Sequence, residues 1–124
     1  MKPYGKELII DLHNCDPSTF TRKSIKDYVD TLCKEVIYME AEDLHFWDYE
    51  GDPEGYAEAP DHLKGVSAVQ FIKTSSIVIH TLDVLEKAFI NIFSCKEFDT
   101  VEVARFTSGW FFGRVVNSKV VYRL

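Results

Sequence analysis

Four residues on otherwise apolar stretches of this chain could do chemistry: Ser67, Ser75, His80 and Cys95. They lie within "GVSAVQFIKTSSIVIHT" and "KAFINIFSC". Short apolar runs bounded by turn residues predict strands, and a turn near Thr74-Ser75 lays residues 66–73 beside 76–82. That pairing brings Ser67 toward the level of His80, and a strand over 87–95 can place Cys95 on the same sheet. A nucleophilic hydroxyl, an imidazole base and a thiol reachable on one sheet suit acyl-shift or proton-transfer chemistry. Single hydroxyls and a histidine in strands are also commonly held by local hydrogen bonds with no catalytic part. A conventional Ser/His/Asp hydrolase is disfavoured, because no G-x-S-x-G elbow is present.

Other classes are excluded by composition and spacing. The three cysteines (Cys15, Cys33, Cys95) show no C-x-x-C pair, and the four histidines (His13, His45, His62, His80) show no H-x-x-x-H pair. Neither a disulfide framework nor a metal site is expected. The net charge is −6 and the basic residues do not gather, so nucleic-acid binding through phosphate contacts is not expected. Acidic residues do gather: Glu40, Glu42, Asp43, Asp48, Glu50, Asp52, Glu54, Glu58 and Asp61 follow one another with no Lys or Arg between them. Such a run is either a solvated surface segment or a field that draws a cationic ligand. No apolar stretch reaches 18 residues, and "MKPYGKELIIDLHNCD" does not read as a signal peptide. A cytoplasmic location without membrane contact is the default expectation.

The elements that must position these residues follow from periodicity. Residues 6–15 read as a strand closed by Asn14 to Pro17. A helix follows, with Asp16 as N-cap and Pro17 at its first position; Ile25, Tyr28, Val29, Leu32, Val36 and Ile37 give it one apolar face. "EDLHFWDYE" predicts a second strand, and "GDPEGYAEAPDHLKG" a long Gly/Pro/acid loop of the kind that often serves as a lid. "FDTVEVARFTSGWFF" predicts a helix capped by Asp99 or Thr100 and stopped near Gly113, and "SKVVYRL" a last strand. The order β-α-β-loop-β-β-β-α-β, in a chain of single-domain length (1–124), predicts an α+β two-layer sandwich. Its sheet is mainly antiparallel, with two helices packed on one face.

The same residues resemble the prokaryotic S-adenosylmethionine decarboxylase family, whose members are pyruvoyl-dependent. In that family a processing serine precedes a histidine by five residues in an S-x-x-x-x-H-T strand. A catalytic cysteine follows the histidine by fifteen, and another serine precedes the processing serine by eight. Those offsets fall here on Ser75, His80, Cys95 and Ser67, and "GKELIIDLHNCD" is similar to the family's first strand. The resemblance implies that the Ser75 hydroxyl attacks the Thr74 carbonyl, so that the chain divides into 1–74 and 75–124 and Ser75 becomes a pyruvoyl group. Ser67 and His80 would support processing. The pyruvoyl group would form a Schiff base with the substrate amine and act as electron sink, and Cys95 would return a proton. It further implies a role in polyamine biosynthesis and a homodimer of processed chain pairs, with active sites between protomers.

Departures from the family pattern bear on the substrate. The usual Glu-Ser cleavage pair is Thr74-Ser75, and the histidine common after the serine is Ser76. The family's H-T-W-P-E is "HTLDV", so Leu82, Asp83 and Val84 stand where an aromatic, a proline and a ribose-binding glutamate are usual. One reading keeps S-adenosylmethionine as substrate, with Glu50, Tyr56 and Asp83 supplying contacts. A second turns the same chemistry on a smaller cationic amine such as arginine or ornithine. A third is a homologue that does not process and instead binds or regulates a partner.

Overall fold

Alternation along each strand decides how the sheet faces. The computed structural model describes residues 1–124. In β1 (Gly5–His13) Leu8, Ile10 and Leu12 are fully buried while Glu7, Ile9 and Asp11 are only partly covered. The same period of two runs through β3 (Gly65–Ile72), β4 (Ser75–Leu82) and β5 (Lys87–Ser94). Their inward residues (Val66, Ala68, Ile77, Ile79, Ala88, Ile90, Ile92) join one core. With β2 (Leu44–Trp47) and β6 (Arg114–Arg123) they form a six-stranded sheet of order β2-β3-β4-β5-β1-β6, in which every pairing is antiparallel.

Helices α1 (Arg22–Thr31) and α3 (Thr100–Phe111) cover the inward face. They meet around Tyr28, whose ring contacts those of Phe106, Trp110 and Phe111. The Tyr28 hydroxyl is paired with Thr107 Oγ1 at 2.6 Å, which satisfies both polar groups in a fully buried place. Burial raises the Tyr28 phenol well above its ordinary range, so it stays neutral. The opposite face of the sheet carries no helix.

The expected α+β sandwich is thus observed, with differences at three element ends and within the acidic loop. Asp16 caps a single 3₁₀ turn (Pro17–Thr19), and the helix proper begins after Thr21, whose side chain accepts from the Ser24 N–H. Pro17 suits the first position of that turn, but the chain is re-extended before the helix starts. α1 widens into a π turn over Leu32–Val36, which ends with Tyr38 in the left-handed region (φ 53°). The long acidic loop contains a short helix, α2 (Pro53–Glu58), capped by Asp52, and a 3₁₀ turn over Asp61–Leu63. β6 starts at Arg114, four residues before the expected start at Ser118, directly after Phe112, the left-handed residue (φ 52°) that ends α3. Asp99 caps α3 as expected.

Replacing Thr107 by Val keeps shape and leaves the Tyr28 hydroxyl buried without its partner. We expect a loss of about 1–3 kcal/mol in urea-unfolding stability, with the helix content of the native state unchanged.

Candidate active site

The β3–β4 hairpin places the residues picked out by spacing, and it divides them. Its register pairs Gly65 with Leu82, Ser67 with His80 and Ile72 with Ser75. Lys73 and Thr74 alone make the turn, and Lys73 is held left-handed at φ 54° with its ammonium 3.0 Å from Glu42. A non-glycine residue with positive φ costs of order 1 kcal/mol, so the backbone next to the Thr74–Ser75 bond is strained.

Ser75 begins β4 on the inward face. It is 6% exposed, and its hydroxyl donates to Ser94 Oγ at 3.1 Å across the β4–β5 pairing. Beside it opens a cavity of about 260 Å³ lined by Tyr38, Met39, Ile72, Thr74, Ser75, Ser94 and Cys95, with Glu40, Lys73 and Lys96 at its charged rim. Cys95 follows the end of β5 and is exposed, a free thiol on the same cavity as Ser75. The Lys96 ammonium is bonded to the Tyr38 carbonyl, so the left-handed residue after the π turn is tied to the cysteine's neighbour.

Ser67 and His80 lie on the other face. Their side chains are hydrogen-bonded, Ser67 Oγ to His80 Nδ1, at 2.8 Å. Five residues separate His80 from Ser75, about 17 Å along an extended strand, and the two point to opposite sides of the sheet. The structure therefore joins Ser75 to Cys95 and Ser67 to His80, and it does not join the two pairs within one chain. Trp47 stands opposite Ser67 on β2, exposed on the same uncovered face.

The three residues expected at the substrate are also divided. Tyr56 donates to Asp83 Oδ2 at 2.8 Å, three residues beyond His80. Asp83 Oδ1 is buried without a partner. Burial raises the Asp83 carboxyl above its usual range, and the Tyr56 bond opposes this in part. Tyr56 continues through edge contact with Tyr49 to Trp47, an aromatic series that ends beside Ser67. Glu50 lies elsewhere: Arg22 pairs with it at 2.6 Å and with Asp48 at 2.7 and 2.8 Å, holding the Asp48 carboxyl below its usual range. With Glu42 on Lys73 and Asp61 near Lys64, four acids of the 40–61 run have internal partners. That favours the solvated-surface reading of the run over a free attracting field.

Sequence reasoning missed Ser94, Met39 and Tyr38. Ser94 was legible in principle, since alternation puts it inward beside Ile92 and level with Ser75. The turn that brings Tyr38 and Met39 to the cavity depends on the π-helical ending of α1, which carries no periodic signal.

Comparisons with known proteins bear on the family and the fold. The sequence profile of the family described as S-adenosylmethionine decarboxylase matches residues 6–124. The chain belongs to the S-adenosylmethionine decarboxylase family. Its fold is similar to that in the crystal structure of the adenosylmethionine decarboxylase from Aquifex aeolicus VF5. The TM-score is 0.75 at 17% identity, over 99% of this chain and 92% of that one. No match was found among curated proteins. No helix is long and apolar enough to cross a membrane, and no three His, Cys, Asp or Glu side chains group as a metal site would require.

Asp83 supplies a pH test. Its folded-state carboxyl titrates above the unfolded one, so the native state binds the extra proton and stability falls as pH rises from about 4 through the folded value. Asp83→Asn removes this loss. We expect the variant to be more stable than the parent at pH 7, with the gap closing toward pH 3.5 in denaturant titrations.

Proposed function

We propose that this chain is a pyruvoyl-dependent decarboxylase of polyamine biosynthesis that makes its prosthetic group from Ser75 and acts on S-adenosylmethionine. The observation that carries the reading is a buried serine hydroxyl at the family's cleavage position, next to a strained turn and opening on a cavity that also holds Cys95. These residues fit the group: a hydroxyl next to the Thr74 carbonyl, and space beyond it for a small substrate. When formed, the pyruvoyl group supplies a carbonyl that takes the substrate amine and an electron sink as carbon dioxide leaves.

The chain's own residues do the rest. Cys95 holds a thiol at the mouth of the cavity, placed to return a proton to carbon. Ser67 and His80 hold a proton between Oγ and Nδ1, and they assist processing from the uncovered face. Because that pair lies at the far end of β4 from Ser75, each site is assembled from Ser75 and Cys95 of one copy and Ser67 and His80 of a second. A homodimer formed through the uncovered sheet face accounts for this. That face carries Ile9, Val69, Phe71, Val78, Phe89 and Phe93, more apolar surface than a lone sheet presents to water without cause. Tyr56 and Asp83 lie at the Ser67–His80 end and contact substrate there, and Glu50 steadies the neighbouring segment through Arg22.

A second reading directs the same chemistry at arginine or ornithine. It is favoured by Leu82 and an exposed Val84 where the family carries nucleoside-binding groups, and by the unpartnered carboxylate oxygen of Asp83. The third reading, a homologue that does not process and binds a partner, predicts an intact chain.

Intact-mass measurement of the purified protein is expected to show two chains divided at Thr74/Ser75; a single 14.3 kDa species excludes both enzymatic readings. Carbon dioxide release from S-adenosylmethionine, arginine and ornithine then selects between them. Ser75→Ala stays full length and inactive. Mixing Ser75→Ala with His80→Ala restores cleavage of the His80→Ala chain, since only the mixed dimer holds one complete site. If His80→Ala is cut as fast alone as in the mixture, the shared-site arrangement is wrong. Cys95→Ala is processed and turns over on the order of a hundredfold more slowly; unchanged turnover removes Cys95 from the chemistry.

A further inference from the structure

The geometry points to Ser94 as the positioning residue for self-cleavage, holding the Ser75 hydroxyl in its attacking orientation. The inference rests on the reading of Ser75 as the processed serine.

Ser94 Oγ has one hydrogen and two lone pairs, and each is committed. The Lys96 main-chain N–H donates to it at 3.0 Å, and the Ser75 hydroxyl donates to it at 3.1 Å. Its own hydrogen goes to Met39 Sδ at 3.5 Å. With both lone pairs occupied and the hydrogen spent on sulfur, the Ser75–Ser94 bond has a fixed direction. Ser75 is the donor. Its hydrogen is turned toward β5, and its own lone pairs carry no hydrogen bond.

A serine attacks through a lone pair, so this is the orientation that readies it, provided the hydroxyl rotor does not turn. Burial leaves it few other partners to turn to: Ser75, Ser94 and Met39 are 6%, 2% and 9% exposed. The Ser94 hydroxyl is itself fixed from outside the hairpin. Its N–H donor belongs to Lys96, whose ammonium grips the Tyr38 carbonyl, and its acceptor is the residue after Tyr38. The end of the first helix and the end of β5 therefore meet at one oxygen atom, and that atom orients the nucleophile. No acid or base touches Ser75 within the chain, so Ser94 sets direction while proton removal is left to other groups.

The test compares two side chains of one shape. Ser94→Thr keeps the hydroxyl and Ser94→Val replaces it with a methyl group. The Thr variant is expected to cleave within a fewfold of the parent, and the Val variant at least tenfold more slowly, the rate equivalent of one orienting hydrogen bond. Rates are read as the fraction of divided chain against time by mass spectrometry. Ser94→Ala, which cannot overpack the site, should match the Val variant. Melting temperatures of the uncut forms, measured on a Ser75→Ala background, show whether any of the three substitutions unfolds the chain. Val and Ala variants that cleave as fast as Thr overturn the role of Ser94 and leave the reading of Ser75 standing. A parent chain that never divides removes that reading, and this inference with it.

Discussion

The register of the β3–β4 hairpin is the constraint on which the site depends. Side chains alternate with a period of two, so the two-residue turn at Lys73–Thr74 settles at once that Ser67 faces His80 and that Ser75 faces the core. A slip by one residue would send Ser75 to the uncovered face and bury His80. Ile77 and Ile79 oppose that slip, since it would carry both out of the core together. Gly65 closes the far end, because a Cβ there would fall on the Thr81 carbonyl oxygen. Hydrophobic burial, which has no chemistry of its own, is what keeps the chemistry in register.

Local patterns made much of this visible in the sequence. Short apolar runs bounded by turn residues located β3, β4 and β5, and the choice of Asp99 or Thr100 as cap placed the start of α3. The pairing of Ser67 with His80 followed from the hairpin alone. What escaped was set by backbone geometry or by contacts distant in sequence. Nothing in "TLCKEVIYM" announces a π turn followed by a left-handed tyrosine. The partners of the acidic run, Arg22 and Lys73, come from elements outside it, so the run looked free of counter-charge when it is not. Asp16 has the chemistry of a helix cap and serves the 3₁₀ turn before the helix, while Thr21, after the chain re-extends, caps the helix itself. The facing of Ser75 is the instructive case. Adjacency along a strand suggested one cluster, whereas five residues on a pleated strand carry a side chain both far away and through the sheet.

That separation gives the two faces different characters. The inward side holds a buried, hydrogen-bonded hydroxyl pair at the edge of a cavity, where an unpaired group would be costly. The outward side holds an imidazole bonded to a serine hydroxyl and an exposed tryptophan, groups open to water in the single chain. A flat sheet does not exclude water by itself.

The strand order has a consequence for the history of the molecule. Taken by position relative to Thr74, the strands β2-β3-β4-β5-β1-β6 read early, early, late, late, early, late. A break at Thr74–Ser75 would leave two pieces interleaved at three ladders, β3 with β4, β5 with β1 and β1 with β6, each an extended antiparallel pairing. Neither piece could leave without exposing the core of the other. The break would also abolish the tether that first brought the strands together, so a divided molecule, once unfolded, would have to find its other half by diffusion. Folding would have to come first and scission second, and the finished protein would persist because it cannot easily be taken apart, having lost the means of assembling itself again.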